Sequence, residues 1–218
     1  MYMSKVVLRS TERGGTGALA SFLASNAGSV GRSHHLVWSL FEDYGGERKF
    51  LYRLTGENPL KPILVYSLDK PQDKHALWDI KTQEFGGELC SGMRVSWSLR
   101  VNPRVTHNGK KHDLVMNGKR GNFDEGWNEA AQRLVPTWLS PRLSALGIDA
   151  PETGMEVEAY NRRRFSRNGS RSEQVIITET DVRGVGTITN SDVLRSSLLT
   201  GIGGGKAYGC GMLLVRSF

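Results

Sequence analysis

Cysteine is scarce: Cys90 and Cys210 are the only two in 218 residues. Two thiols cannot build the disulfide framework of a small secreted domain, and alone they cannot fill a four-ligand zinc site. Long apolar runs are missing as well. No stretch approaches the ~20 residues that a membrane helix needs. The opening Met1-Tyr2-Met3-Ser4-Lys5-Val6-Val7-Leu8-Arg9 lacks the apolar core of a signal peptide. The expectation is a cytosolic protein with no membrane partner. Glycine, by contrast, is plentiful at 26 residues, which excludes a long-helix protein and calls for many turns. Basic side chains outnumber acidic ones by 29 to 22, a net charge of +7 that points to a polyanionic partner. The length fits one large domain or two small ones.

The chain reads as two units. In the first, Tyr2 to Leu8 is a strand, Ala18 to Ala24 holds a short helix, and Ser33 caps a helix running to about Asp43. Leu36, Val37, Leu40 and Phe41 share one face of that helix, and Tyr44-Gly45-Gly46 ends it. Phe50 to Leu54 and Ile63 to Leu68 are strands around a Gly-Glu-Asn-Pro turn, and Leu77 to Phe85 is a further strand. The second unit opens near Gly92 with a strand from Met93 to Val101, stopped by Asn102-Pro103. Residues 103–122, polar and basic, read as a loop. Asp124 to Leu146 is helical, interrupted at Pro136 and Pro141. Met155 to Phe165 and Gln174 to Glu179 flank an Asn-Gly hairpin signal at Asn168-Gly169, and Asp181 to Thr189 is another strand. Asn190 or Ser191 caps a short helix ending near Leu199, and Met212 to Val215 closes the chain. Strand, helix and strand pair recur in both halves. This predicts an α+β protein of two tandem ferredoxin-like (RRM-like) domains, residues 1–88 and 89–218, with antiparallel sheets and helices on one face.

Three stretches can carry chemistry. Gly201-Ile202-Gly203-Gly204-Gly205-Lys206-Ala207-Tyr208-Gly209-Cys210-Gly211 is a loop able to expose N–H groups to phosphate, with Lys206 adding a point charge. It is neither a P-loop nor a dinucleotide fingerprint, and the plainer reading is a tight connection packed on its own domain. Asn161 to Arg171 places Arg162, Arg163, Arg164, Arg167 and Arg171 on and around a hairpin tip. The loop at 104–120 adds Arg104, Lys110, Lys111, Lys119 and Arg120, ten basic residues in all. Such density is self-repelling unless a polyanion neutralises it, although a solvated turn is the simpler alternative. In Ser33-His34-His35-Leu36-Val37-Trp38, His34 lies beside Trp38 at the margin of the apolar face, while His35 points to solvent. A neutral histidine there can accept a proton near pH 7; equally, histidines at a helix start are often only polar surface. His75, His107 and His112 lie in polar segments and rank lower. No metal site is expected, because His34 and His35 cannot both reach one ion from a helix. Glu156 and Glu158 are explained by ion pairing, and Cys210 by packing.

These stretches together resemble CasE, the repeat-RNA endoribonuclease family of type I-E CRISPR systems. Met1-Tyr2-Met3-Ser4-Lys5-Val6 resembles its opening strand. His34 followed by Trp38, Leu40 and Phe41 resembles its catalytic-histidine helix, and Leu99-Arg100-Val101-Asn102-Pro103 the strand that begins its second domain. The loop at 201–211 is similar to its glycine-rich signature, and the arginines at 161–171 fall at its basic hairpin. The resemblance implies two ferredoxin-like domains and cleavage at the base of a repeat hairpin without metal or cofactor. The products it implies carry a 2′,3′-cyclic phosphate and a 5′-hydroxyl. It further implies retention of the crRNA stem-loop and assembly with the other subunits of Cascade. His34 is carried over as catalytic. RNA contact is assigned to Arg100, Arg104, Lys110, Lys111, Arg162, Arg163, Arg164, Arg167, Arg171, Gly203, Gly204, Gly205 and Lys206. The departure is Gly31, which stands where family members carry a tyrosine one turn before the histidine. Tyr44 and His35 are the candidates to replace it, or His34 works with cations alone. A non-catalytic RNA-binding subunit shares every feature except a chemical task for His34. A binder of small phosphorylated ligands leaves the arginine hairpin idle.

Overall fold

The computed structural model describes residues 1–9, 31–41, 47–56, 61–74, 77–119, 124–166 and 174–218, with backbone alone at 31–33, 35, 164–166 and 174. The chain divides into two units. One comprises Met1–Gly86, Arg164–Ile176 and Ala207–Gly209; the other comprises Gly87–Arg163, Ile177–Lys206 and Cys210–Phe218.

In the first unit, β1 (Tyr2–Leu8), β2 (Phe50–Leu54), β3 (Ile63–Ser67) and β4 (Trp78–Glu84) form an antiparallel sheet in the order β2-β3-β1-β4. Helix α1 (Gly31–Trp38) covers it, burying Leu36, Val37 and Trp38 against Val6, Leu8, Ile63, Val65 and Trp78. This is the apolar face expected from the sequence. The helix begins two residues before Ser33, so Ser33 lies in its first turn and is not its cap. It also stops earlier than expected. The Ser39 hydroxyl donates to Leu36 O at 2.7 Å and accepts from Trp78 Nε1 at 3.2 Å. A serine that bonds a carbonyl of the preceding turn competes with the helical ladder. Leu40 and Phe41 then close the end with N–H bonds to Val37 O and Trp38 O. The expected helix at 18–24, the glycine stop at 44–46 and the centre of the turn at 57–60 lie outside the described residues.

The remaining elements are β5 (Arg94–Val101), β6 (Arg104–His107), β7 (Lys110–Asp113), α2 (Leu114–Gly118), α3 (Trp127–Ala145), β8 (Ile148–Asp149), β9 (Met155–Ser166), β10 (Gln174–Ile188), α4 (Ser191–Ser197) and β11 (Leu213–Ser217). Their main sheet runs β11-β5-β10-β8, and β9 also pairs with β10. Both sheets therefore follow one plan, in which the first strand lies between the fourth and third and the second pairs outside the third. That is the ferredoxin-like order, and the fold is α+β as the sequence indicated.

Three local expectations are corrected. Residues 103–122 are not a plain loop: β6 and β7 form a hairpin whose turn, Asn108-Gly109, has φ of 50° and 72°. Paired left-handed residues of this kind match the strand twist. The Asp113 carboxylate then caps α2 by accepting from Met116 N at 2.8 Å. Helix α3 runs unbroken through Pro136 and Pro141. Each interior proline costs about 3 kcal/mol in isolation, but here Ala131, Val135, Leu139 and Leu143 form a fully buried stripe that offsets it. The two strands expected at 174–189 are one strand, β10. Gly184 lets it pass Trp97, because a Cβ there would lie 2.5 Å from Trp97 Cζ2. The cap of α4 is as expected: the Asn190 side chain accepts from Asp192 N and Val193 N at 3.1 and 3.0 Å. Among the described residues no helix is long and apolar enough to cross a membrane.

Candidate functional site

The first unit holds the histidine. Burial of Leu36, Val37 and Leu40 fixes the roll of α1 and leaves His34 half-buried at the margin of its apolar face. One turn on, Trp38 Nε1 donates to His34 Nε2 at 3.0 Å. A nitrogen that accepts carries no proton, so this bond selects the tautomer with hydrogen on Nδ1. The ring stands among aromatics, with centroids 6.1 Å from Trp38, 6.1 Å from Phe50 and 6.3 Å from Tyr52. Phe50 and Tyr52 reach it together because alternate residues of β2 share a face. The Tyr52 hydroxyl donates to Ala207 O at 2.5 Å, a bond within the first unit. Arg48, just before β2, is half-buried. Burial pulls its pKa down, and the nearby Tyr52 phenol acts the other way. An imidazole nitrogen able to accept a proton, set among aromatic rings, is a part suited to proton transfer.

The basic residues of the second unit fall into two groups. Arg100 is engaged by acids: its Nε and one terminal nitrogen reach the two oxygens of Asp181 at 2.8 Å each, and the other nitrogen is 3.8 Å from Glu179. The Asp181 hydrogen bond is the main force holding the Arg100 pKa above its ordinary value. Arg163 Nε lies 3.0 Å from Glu179, a carboxylate only 4% exposed. Both arginines thus neutralise acids inside the β5–β10 sheet region, a role the sequence did not reveal. Arg100→Met, which keeps the apolar stem and removes the charge, leaves those acids under-compensated. It is expected to cost roughly 3–5 kcal/mol of stability, read from the urea midpoint. A variant as stable as the parent would show that Asp181 and Glu179 do not depend on Arg100 for compensation. Glu156 and Glu158 are ion-paired as expected, but by Arg183 at 2.9 and 3.1 Å.

Arg104, Lys110, Lys111 and Arg162 form the other group. All four are exposed. The first three ride on the β6–β7 ribbon, which Trp138 anchors by donating from Nε1 to Arg104 O at 3.0 Å. Arg164 is placed in β9 by its backbone, while Arg167 and Arg171 lie outside the described residues. In the glycine-rich stretch, Gly203 and Gly204 are exposed and Gly205 is partly so. The loop is bonded to its own unit: Ile202 N to Gly211 O, Gly211 N to Arg100 O, and Lys206 Nζ to Gly203 O at 2.8 Å. Gly211 has φ of 89°, and a Cβ there would come within 2.8 Å of Ile202 O, so the tight closure requires glycine.

A family model described as CRISPR associated protein matches residues 1–217. The chain belongs to that family. No curated protein matches it by sequence. The fold of this CRISPR-associated protein is shared with Thermus thermophilus Cse3 bound to an RNA representing a pre-cleavage complex. There the identity is 22% and the TM-score 0.67, over 99% of this chain and 98% of that one. It is shared with Cas6e from Escherichia coli strain K-12 at 24% identity and a TM-score of 0.61, over 100% of each chain. A chain of a CRISPR RNA-guided surveillance complex matches at 19% identity and a TM-score of 0.66, again over 100% of each. The resemblance to CasE drawn from the motifs is borne out along the whole length.

Sequence reasoning missed two neighbours of the CRISPR-associated protein's histidine, Phe50 and Tyr52, and the cation Arg48 near Tyr52. Tyr52 occupies part of the environment for which Tyr44 and His35 had been the candidates; Tyr44 and the His35 side chain are outside what is described. Strand alternation placed Phe50 and Tyr52 on one face, but nothing local said that α1 would lie over that face. Arg48 carried no signal, being a lone cation before a strand.

Proposed function

We propose that this protein is a cytosolic endoribonuclease that cuts CRISPR repeat RNA at the base of its stem-loop. It stays on the crRNA hairpin afterwards and serves as a subunit of Cascade. The observation that carries the reading is the His34 imidazole, held by Trp38 with Nε2 free of a proton and packed beside Phe50 and Tyr52, with Arg48 near the Tyr52 phenol. Family membership and the fold shared with RNA-bound Cse3 support it. The ribose 2′-hydroxyl attacks the adjacent phosphorus, the bond to the 5′-oxygen breaks, and the products carry a 2′,3′-cyclic phosphate and a 5′-hydroxyl. The nucleophile is built into the substrate, so the chemistry needs neither an external water nor a metal. His34 takes up the 2′ proton once RNA displaces the Trp38 N–H, or returns a proton to the leaving oxygen. Arg48 supplies positive charge to the phosphorane. Arg104, Lys110, Lys111, Arg162 and Arg164 hold backbone phosphates of the stem, with Arg167, Arg171 and the exposed glycines and Lys206 extending that contact.

Incubation of purified protein with end-labelled repeat RNA in excess EDTA tests this directly. A single discrete cut and a retained stem-loop are expected. A mobility shift without a cut would reduce the protein to an RNA holder, and neither result would leave the polyanion reading without support.

A further inference from the structure

Four of the five tryptophans are packed away, since Trp38, Trp78, Trp97 and Trp138 are each at most 9% exposed. Trp127, the first residue of α3, is 46% exposed. It is nevertheless held in a fixed geometry. Its indole stacks on Tyr160 with centroids 5.9 Å apart and planes 10° from parallel. Tyr160 is locked in turn, because its hydroxyl donates to Asp113 Oδ1 at 2.9 Å, the same oxygen that caps α2. Burial, then the Asp113 charge, push the phenol well above the ordinary tyrosine range, so it stays a neutral donor. Strand β9, helix α2 and the start of α3 thus cooperate to present one large aromatic face that the fold leaves open.

Cations surround that face. Lys119 Nζ lies 5.2 Å from the indole centroid, its ammonium bonded to Glu125 O. Arg162 follows Tyr160 by two residues on the same face of β9, close enough to act on the phenol. Lys110 and Lys111 lead into Asp113 along β7. Two of the acids nearby are already engaged: Glu125 is clamped by Arg133 through two bonds of 2.9 and 2.8 Å, and Asp113 by Tyr160. A stacked aromatic pair with ammonium and guanidinium groups at its edge matches an unpaired nucleotide, whose base wants a π-face and whose phosphates want charge. A paired stem offers neither an accessible base face nor the freedom to turn one outward.

We propose that the Trp127–Tyr160 stack is a platform for an unpaired base in the single-stranded RNA flanking the repeat stem. It rests on the RNA-binding part of the reading above, and on neither His34 nor cleavage. Trp127 is the one strongly exposed indole of the five, so acrylamide quenching of tryptophan emission reports on it. The probes are the repeat hairpin alone and the same hairpin with single-stranded flanks, both carrying a 2′-deoxy sugar at the cut. In the unaltered protein the flanked RNA is expected to shield emission from acrylamide, and the bare stem is not. Trp127→Ala should bind the flanked RNA about tenfold more weakly and the bare stem unchanged, while Trp127→Phe retains most of the affinity. Unaltered quenching with flanked RNA overturns the platform without needing any variant to fold, as does an equal loss of Trp127→Ala on both probes. Failure of the unaltered protein to bind either probe overturns the RNA reading itself.

Discussion

Replacing His34 by alanine is expected to slow cleavage of repeat RNA by roughly 10²- to 10⁴-fold, the usual contribution of a positioned proton carrier. On the proposed reading affinity for the hairpin should stay within about threefold, since there phosphate contacts set binding and the imidazole's task is to move a proton. Single-turnover cleavage and equilibrium binding measured on one preparation separate the two effects. The alanine also deletes the acceptor for Trp38 Nε1, a bond of 3.0 Å at a site where Trp38 is only 8% exposed. Loss of that bond costs about 0.5–1.5 kcal/mol, so a modest fall in melting temperature should accompany it. His34→Gln isolates the chemistry, because its amide oxygen can accept from the indole while no atom of the side chain titrates near pH 7. Stability should return and cleavage should not. A glutamine variant that cuts, or an alanine variant that loses binding in step with cleavage, would remove His34 from the reaction.

The sequence disclosed the fold wherever side chains alternate against a single partner layer. The ends of β1 and β2 are legible: β1 buries alternate residues Ser4, Val6 and Leu8, and β2 opens on the apolar run Phe50-Leu51-Tyr52. The stripe Leu36, Val37, Leu40 marks helix α1 but not its end, where Ser39 bonds back to Leu36 O and is held there by Trp78, 39 residues away. Prolines in α3 misled for the converse reason: local cost is visible in sequence, whereas the burial that offsets it is not. The β6–β7 ribbon was legible in principle, since Asn108-Gly109 is the same signal used for Asn168-Gly169. It was passed over because the charge of its strands suggested solvent. At the site, His34 beside Trp38 followed from helical spacing, and the 3.0 Å bond agrees. Phe50 and Tyr52 required knowing which strand face α1 would cover. Charge counting could not separate Arg100 and Arg163, held by Asp181 and Glu179, from the exposed Arg104, Lys110, Lys111 and Arg162. Sign is a property of composition, whereas pairing is a property of the register between β5 and β10.

A repeat RNA carrying one 2′-deoxy sugar at the scissile position is expected to bind as tightly as the all-ribose strand and not to be cut at all. The contrast follows from where the nucleophile resides. A 2′-oxygen tethered next to its phosphorus gains an effective concentration that an external water lacks, worth as much as ~10⁵–10⁸ M for well-oriented groups. Removing it takes away the reacting atom while leaving intact every phosphate and base face of the RNA. The measurement is end-group analysis beside a gel. Ribose substrate should give a 2′,3′-cyclic phosphate and a 5′-hydroxyl, and deoxy substrate should remain full length with its mobility shift retained. This result also discriminates between roles for His34, because an imidazole that activated water would cut both strands alike. Cleavage of the deoxy strand would therefore rule out internal attack while leaving His34 as a base, whereas arrest of the deoxy strand combined with an active His34→Gln would place the proton transfer on another group beside the phosphate.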